Sequence, residues 1–303
     1  MGADVTAEKG EAMENRKLIV EVRANEYEMR DKNPHVPWTA AEIAETAASC
    51  RAAGAAIIHF HTRTDSGAPA FEAEAHIAAM AAVRAASDIL VHATMGGPDR
   101  DASAEGRIAP VVALAEAGLK PDFVPLDMGS SNVDIFDRAA GGFRSEQSTY
   151  VNSTGTLRYF AATLKRFGIK PSLQIWNLPM LRWATAFADI DVLDEPLWLN
   201  LLLSEGGYLA AHPGTIEGLR AFLPFLPAHH RHHWIVTLGQ ADILHLAPEI
   251  IALGGHLCIG LGDYPHVERG APTNAELVAE IAHMAAAAGR PLATPADVKA
   301  MLS

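Results

Sequence analysis

The sequence predicts an α/β fold, a single (β/α)8 TIM barrel, on three observations. Short runs rich in Val, Ile and Leu alternate with helix-like stretches, eight such units can be counted, and no linker interrupts them. Alternation of this kind makes a parallel sheet with right-handed crossovers. The 303 residues suit one such barrel, which takes roughly 250. A doubly wound sheet is the alternative reading of the same pattern. Residues 17–303 are expected to form the barrel and residues 1–16 a flexible leader.

LIVEVR (18–23) reads as the first strand. Thr39, followed three residues later by Glu42, opens a helix as a capping box, and Gly54 closes it. AAIIHF (55–60) is the second strand, EAEAHIAAMAAVRAAS (72–87) a helix, DILVHAT (88–94) the third strand, RIAPVVALAEAG (107–118) a helix and DFVPLDMG (122–129) the fourth strand. GGFRSEQSTYVNS (141–153) reads as a polar loop and GTLRYFAATLKRFG (155–168) as a helix with a glycine stop. SLQIWN, WLNLLLS, HHWIVTLG and HLCIGLGD supply strands five to eight, with helices TIEGLRAFLPFL and ILHLAPEIIALGG between the later ones and NAELVAEIAHMAAAAGR closing the chain.

Composition narrows the partners. Net charge is −12, with 36 acidic against 24 basic residues, which argues against nucleic acid. No apolar run approaches the roughly 20 residues of a membrane span. The first 16 residues lack the apolar core of an export signal, and two cysteines, Cys50 and Cys258, in apolar surroundings fit a reducing cytoplasm. No strand-linked GxGxxG and no GxxxxGK[ST] is present, so a dinucleotide or Walker site has little support.

Chemistry in a barrel gathers where the C-terminal strand ends open into loops. In IIHFHTR, His59 and His61 lie two apart on a strand, hence on one face, where two imidazoles suit a divalent metal. Around the same mouth the pattern places Glu21, Glu26, His92, Thr94, Asp127, Ser130, Asn177, Asn200, Thr237, Asp263 and His266. Gly96 and Gly97 can turn backbone N–H groups towards a carboxylate or phosphate. His266, three residues beyond Asp263, can complete a metal shell. HHRHH (229–233) precedes strand seven and so lies at the opposite end, as a solvated connection.

NPHVPWTAAEIAE, AGAAIIHFHTR with Asp65 and Gly67, TMGG, GSSN, VNS, GIKPSLQI and the stretch from IGLGDYPHVERG to ATPADVKAML together resemble the β-keto acid cleavage enzyme family from about Leu18 to Leu302. The resemblance implies a zinc-dependent barrel, a homotetramer or homodimer, that condenses a β-keto acid with acetyl-CoA and releases acetoacetate and a new CoA thioester. It implies that His59 and His61 hold Zn2+, that Glu26 helps hold the substrate's polar far end, and that Asp263 moves a proton at the substrate's acidic carbon. Asp263, Glu26 and Thr94 are thus the expected catalytic groups. Glu21, Gly96, Gly97, Ser130, Asn177 and Arg182 are the expected substrate contacts, and His59, His61 and His266 the metal ligands.

The last strand departs from the family pattern. Where relatives carry an arginine and a glutamate ligand, this chain has Cys258 and Gly262, and neither can replace the original group. Arg23 or Arg182 would have to supply a guanidinium from another strand. Ser172, Gln174 and Asn177 stand where acidic residues are common, which suits a substrate whose tail is not cationic. Two alternatives follow: a CoA-independent metal-dependent lyase or hydrolase of a small oxo acid, and a non-catalytic carboxylate-binding barrel.

Overall fold

The computed structural model describes residues 17–26, 28–95 and 103–303, so the leader and the glycines at 96 and 97 lie outside the described residues. The barrel strands are β1 (Val20–Arg23), β2 (Ile57–Phe60), β3 (Leu90–Ala93), β4 (Phe123–Asp127), β5 (Lys170–Ile175), β6 (Leu197–Ser204), β7 (His232–Gly239) and β8 (His256–Ile259). Each pairs in parallel with its neighbours, β8 with β1 and β5 with β6 included, so the sheet closes on itself. His212–Pro213 adds a short strand beside β6.

The helices are α1 (Ala40–Ala53), α2 (Ala73–Ala86), α3 (Ala104–Glu116), α4 (Thr154–Phe167), α5 (Leu178–Asp189), α6 (Ile216–Arg220), α7 (Ala247–Ala252), α8 (Asn274–Ala287) and α9 (Pro295–Met301). The capping box at Thr39 and Glu42 is present, and Gly54 ends α1 in the left-handed conformation at φ 117°. Such caps contribute about 1 kcal/mol each. None of the described helices is long and apolar enough to cross a membrane.

Several features differ from the sequence reading, α5 among them, since no element is expected over 178–189. The polar stretch between β4 and α4 is built from two small antiparallel ribbons, Ser131–Asn132 with Thr149–Tyr150 and Phe136–Asp137 with Gly142–Phe143. Segments of two residues carry too little periodicity to register as strands. The chain also does not end on α8: α9 follows, opened by a capping box of Thr294 and Asp297.

Side chains alternate along each strand, so every second residue enters the barrel. The basal layer is apolar: Ile19, Ile57, Leu90, Phe123, Trp198 and Ile235 pack with Cys258, and Ala293 and Val298 join them from the α9 segment. Two residues further along each strand the interior turns polar, with Glu21, His59, His92, Gln174, Asn200 and Thr237 all buried. On one side this layer is neutral and internally bonded. Thr237 Oγ1 donates to Asn200 Oδ1 at 2.9 Å, Asn200 Nδ2 to Gln174 Oε1 at 2.9 Å, and Gln174 Nε2 to Ser172 Oγ at 2.9 Å. The opposite side, β8-β1-β2-β3, carries charge.

Candidate metal centre at the barrel mouth

A cavity of about 510 Å³ opens at the C-terminal strand ends, lined among others by Arg23, Glu26, His59, His61, His92, Thr94, Asp127 and Asp263. Registry brings its charged wall together, since Arg23 on β1 pairs with His59 on β2 and His59 with His92 on β3. Asn25 fastens the strand ends. Its Oδ1 accepts from the His61 N–H at 2.8 Å while its Nδ2 donates to the His61 carbonyl at 2.9 Å.

His59 and His61 converge as the two-residue spacing requires, and their Nε2 atoms lie 3.0 and 2.7 Å from the two carboxylate oxygens of Glu26. His59 Nδ1 is 2.8 Å from the His92 carbonyl, an atom that only accepts, so Nδ1 holds the proton and the neutral ring presents an Nε2 lone pair. Burial lowers this imidazole to about 4, against the pull of Glu26, so it is neutral at pH 7. A lone pair of nitrogen and a carboxylate oxygen at 3.0 Å repel unless a cation lies between them. Two imidazoles and one carboxylate form a donor set that suits zinc, and a histidine oriented through its other ring nitrogen is how proteins hold such a ligand. The residues present therefore fit a divalent ion.

Arg23 stands beside this set. Its Nε donates to Asp263 Oδ1 at 3.0 Å, its Nη2 contacts Glu26, and its Nη1 is 3.8 Å from Glu21. The guanidinium that Cys258 cannot supply thus comes from β1, while burial keeps the Cys258 thiol neutral, well above its ordinary value. Burial would raise the Glu26 carboxyl, but Arg23, His61 and His59 outweigh it and hold it well below the usual range. Asp263 behaves differently: burial, with Glu26 and Glu21 nearby, lifts it to about 7 in spite of Arg23. Its Oδ2 has no hydrogen-bond partner among the described residues. A cavity-lining carboxyl near neutrality with a free oxygen has the properties of a general base.

Several expected site residues stand elsewhere. Glu21 does not reach the cavity as a substrate contact; it is 1% exposed and accepts from His92 Nδ1 at 2.8 Å, fixing that ring from behind. His266 does not join His59 and His61. A left-handed turn at φ 51° carries it to Asp242, 3.7 Å away, with Tyr264 edge-on to its ring. Asn177 caps α5, its Oδ1 accepting from the Met180 N–H at 3.2 Å, because the first turn of a helix claims the nearest side-chain acceptor. Arg182, on the exposed face of α5, and Ser130, which accepts from the Asn152 N–H at 2.8 Å, are likewise not cavity-lining residues. Thr94 lines the cavity as expected.

The opposite wall was not assigned from the sequence beyond Asp127. Met95, Pro125, Val133, Tyr150, Trp176, Leu202 and Tyr208 make it largely apolar. Trp176 and Tyr150 stack with centroids 5.9 Å apart, and Tyr150 donates to Asp127 Oδ2 at 3.1 Å. Burial raises Asp127 to about 6 against the pull of Tyr150 and Arg107. The fold therefore favours its protonated form, and the associated stability, complete below about pH 4, is lost as pH rises through about 6. Asp127→Asn keeps the acceptor for Tyr150 and removes the charge. Its unfolding free energy, from urea titrations, should fall less than that of the wild type between pH 4 and pH 8, by about 1 to 2 kcal/mol; parallel profiles would refute this.

The sequence model of the beta-keto acid cleavage enzymes matches residues 17–303. The 3-keto-5-aminohexanoate cleavage enzyme of Acetoanaerobium sticklandii is 28% identical over 90% of this chain and 93% of its own length. The 3-oxoadipate:acetyl-CoA acetyltransferase of Cupriavidus necator is 27% identical over 89% of this chain and 88% of its own. Among solved structures, the ternary complex of ObcA with C4-CoA adduct and oxalate shares the fold, with TM-score 0.68 at 17% identity, covering 89% of this chain and 67% of that one. With the family matched across the whole barrel and the histidine pair at its mouth, this chain belongs to the β-keto acid cleavage enzyme family.

Proposed function

We propose that this protein exchanges acyl groups between a β-keto acid and acetyl-CoA, yielding acetoacetate and a new CoA thioester, at a divalent metal ion held by His59 and His61. The observation that carries this reading is the meeting of both imidazoles with a carboxylate beside Asp263 at the mouth of the barrel. Support comes from relatives named for acetyl-CoA-dependent transfer, 3-oxoadipate:acetyl-CoA acetyltransferase and 3,5-dioxohexanoate:acetyl-CoA acetone transferase. A bound zinc ion would act as a Lewis acid on the keto acid's oxygens. Asp263, through its free oxygen, takes the proton from the carbon between ketone and carboxylate. Arg23 holds Asp263 in place, and Glu21 fixes the neighbouring His92 ring.

The wall of Met95, Val133, Trp176 and Leu202 suits a keto acid with an uncharged side chain. The test is a panel of β-keto acids given to zinc-loaded protein with and without acetyl-CoA, following CoA thioesters by mass spectrometry. Thioester formation that needs acetyl-CoA and stops with a chelator is the expected result. Consumption of keto acid that continues without acetyl-CoA would replace this reading with a lyase or hydrolase.

A further inference from the structure

The family resemblance implies that Glu26 holds the far end of the substrate, but its carboxylate is turned onto the imidazoles. We propose that Glu26 is itself a ligand of the metal ion, delivered from the end of β1 into space that exists because residue 262 is glycine. This deepens the metal reading given above and rests on it.

Three independent features point to this assignment. The first is the convergence of ligand atoms. With Nδ1 committed to the His92 carbonyl, His59 turns its other ring nitrogen, Nε2, to Glu26 Oε1 at 3.0 Å, while Oε2 lies 2.7 Å from His61 Nε2. One carboxylate spanning two imidazoles in this way gathers three ligand atoms within 4.8 Å of one another. Glu21, Glu26 and Asp263 also crowd a single guanidinium, leaving surplus negative charge that a divalent cation balances.

The second is space. A Cβ at Gly262 would lie 2.7 Å from Glu26 Cγ, 2.8 Å from the Glu26 nitrogen and 3.0 Å from the Arg23 carbonyl. Heavy atoms do not approach so closely, and backbone forms two of these contacts. Glu26 in its observed position and any side chain at 262 therefore exclude each other. The glycine that removes a potential ligand from the last strand admits a carboxylate from the first.

The third is backbone strain. Glu26 adopts φ 36°, a left-handed conformation disfavoured for a residue with a side chain. Buried Arg63 holds it there, donating to the carbonyls of Asn25 and Glu26. Strain kept in place by a buried guanidinium is characteristic of a position fixed for function.

Zinc affinity separates the possibilities, measured by chelator competition and by metal content after dialysis, with thermal melts confirming that each variant folds. The wild type should retain zinc, Glu26→Gln should bind it on the order of 100-fold more weakly, and Glu26→Gly should do the same while relaxing the turn. The double change Glu26→Gly with Gly262→Glu should recover most of the lost affinity, because the new side chain enters the vacated space. Gly262→Glu alone, with Glu26 retained, should lower the melting temperature. A Glu26→Gln protein within threefold of wild-type affinity would overturn the assignment, and a double variant no tighter than Glu26→Gly would overturn the spatial exchange. A wild type that takes up no zinc would instead remove the metal reading on which the proposal stands.

Discussion

Replacing His59 with alanine is expected to abolish metal retention and to cut acetyl-CoA-dependent turnover at least about 1,000-fold, a loss of about 4 kcal/mol in transition-state stabilisation. His59 is fixed in place from several sides. Its ring is 3% exposed, registers between Arg23 and His92, and is oriented through Nδ1 by a carbonyl fixed in β3. Alanine removes the Nε2 lone pair and leaves the Glu26 carboxylate facing one imidazole. Zinc titrated into the wild type should raise its melting temperature by linkage, about 2.7 kcal/mol of stabilisation at a hundredfold excess over the dissociation constant. The variant's melting temperature should not respond. Metal content by mass spectrometry, melting curves with and without zinc, and the thioester assay check the three statements separately; a His59→Ala protein that keeps both its zinc and its turnover would refute the site.

Arg23→Met is expected to be the most destabilising single change in the charged wall, costing about 3 to 5 kcal/mol at pH 8, because it strands carboxylates in a place water hardly reaches. Arg23 and Asp263 side chains are each 11% exposed, and Glu21 only 1%. The direction with pH follows from Asp263. Its folded value, raised to about 7, means that the native chain keeps a proton the unfolded chain releases near pH 4, so this stabilisation is complete below about pH 4 and is lost as pH rises through about 7. Arg23 lowers that value, so without it the loss moves to higher pH. The deficit of Arg23→Met against wild type should accordingly be smallest near pH 5 and grow towards pH 8. The rise of kcat/KM with pH should shift to higher pH in the same variant, since the base must be ionised. Arg23→Lys keeps the charge without the fork and should fall between the two. Denaturant midpoints at several pH values measure the first effect, and an unchanged midpoint at pH 8 would show that the guanidinium is not what holds these carboxylates.

The barrel and its histidine pair are readable from the chain because both depend on strand periodicity. His59 and His61 must share a face, and alternation on β1 likewise sets Glu21 and Arg23 on the inner side. That same period was the available signal for Arg23, whose role the sequence raises only as a possible replacement for the guanidinium missing at Cys258. Beyond a strand end the pattern gives no direction. Asn177 is taken by the helix it precedes, Arg182 is carried outward by that helix, and His266 follows a left-handed turn away from the mouth. Glu26 is the subtler case, an expected site residue that does line the cavity, yet its aim depends on a clearance at Gly262 more than two hundred residues away. Contacts of that separation are tertiary facts, and the aromatic wall of Tyr150, Trp176 and Tyr208, drawn from a ribbon and two other strand ends, is of the same kind.

The apolar floor, where Phe123 and Trp198 meet Val298 of α9, has a kinetic corollary. With the base stoppered, the described part of the well opens at the C-terminal strand ends, and in the proposed exchange both reactants would use that doorway. Whichever of them settles deeper has to arrive first and its remnant depart last, so initial-rate patterns should reveal a compulsory sequence of entry and exit.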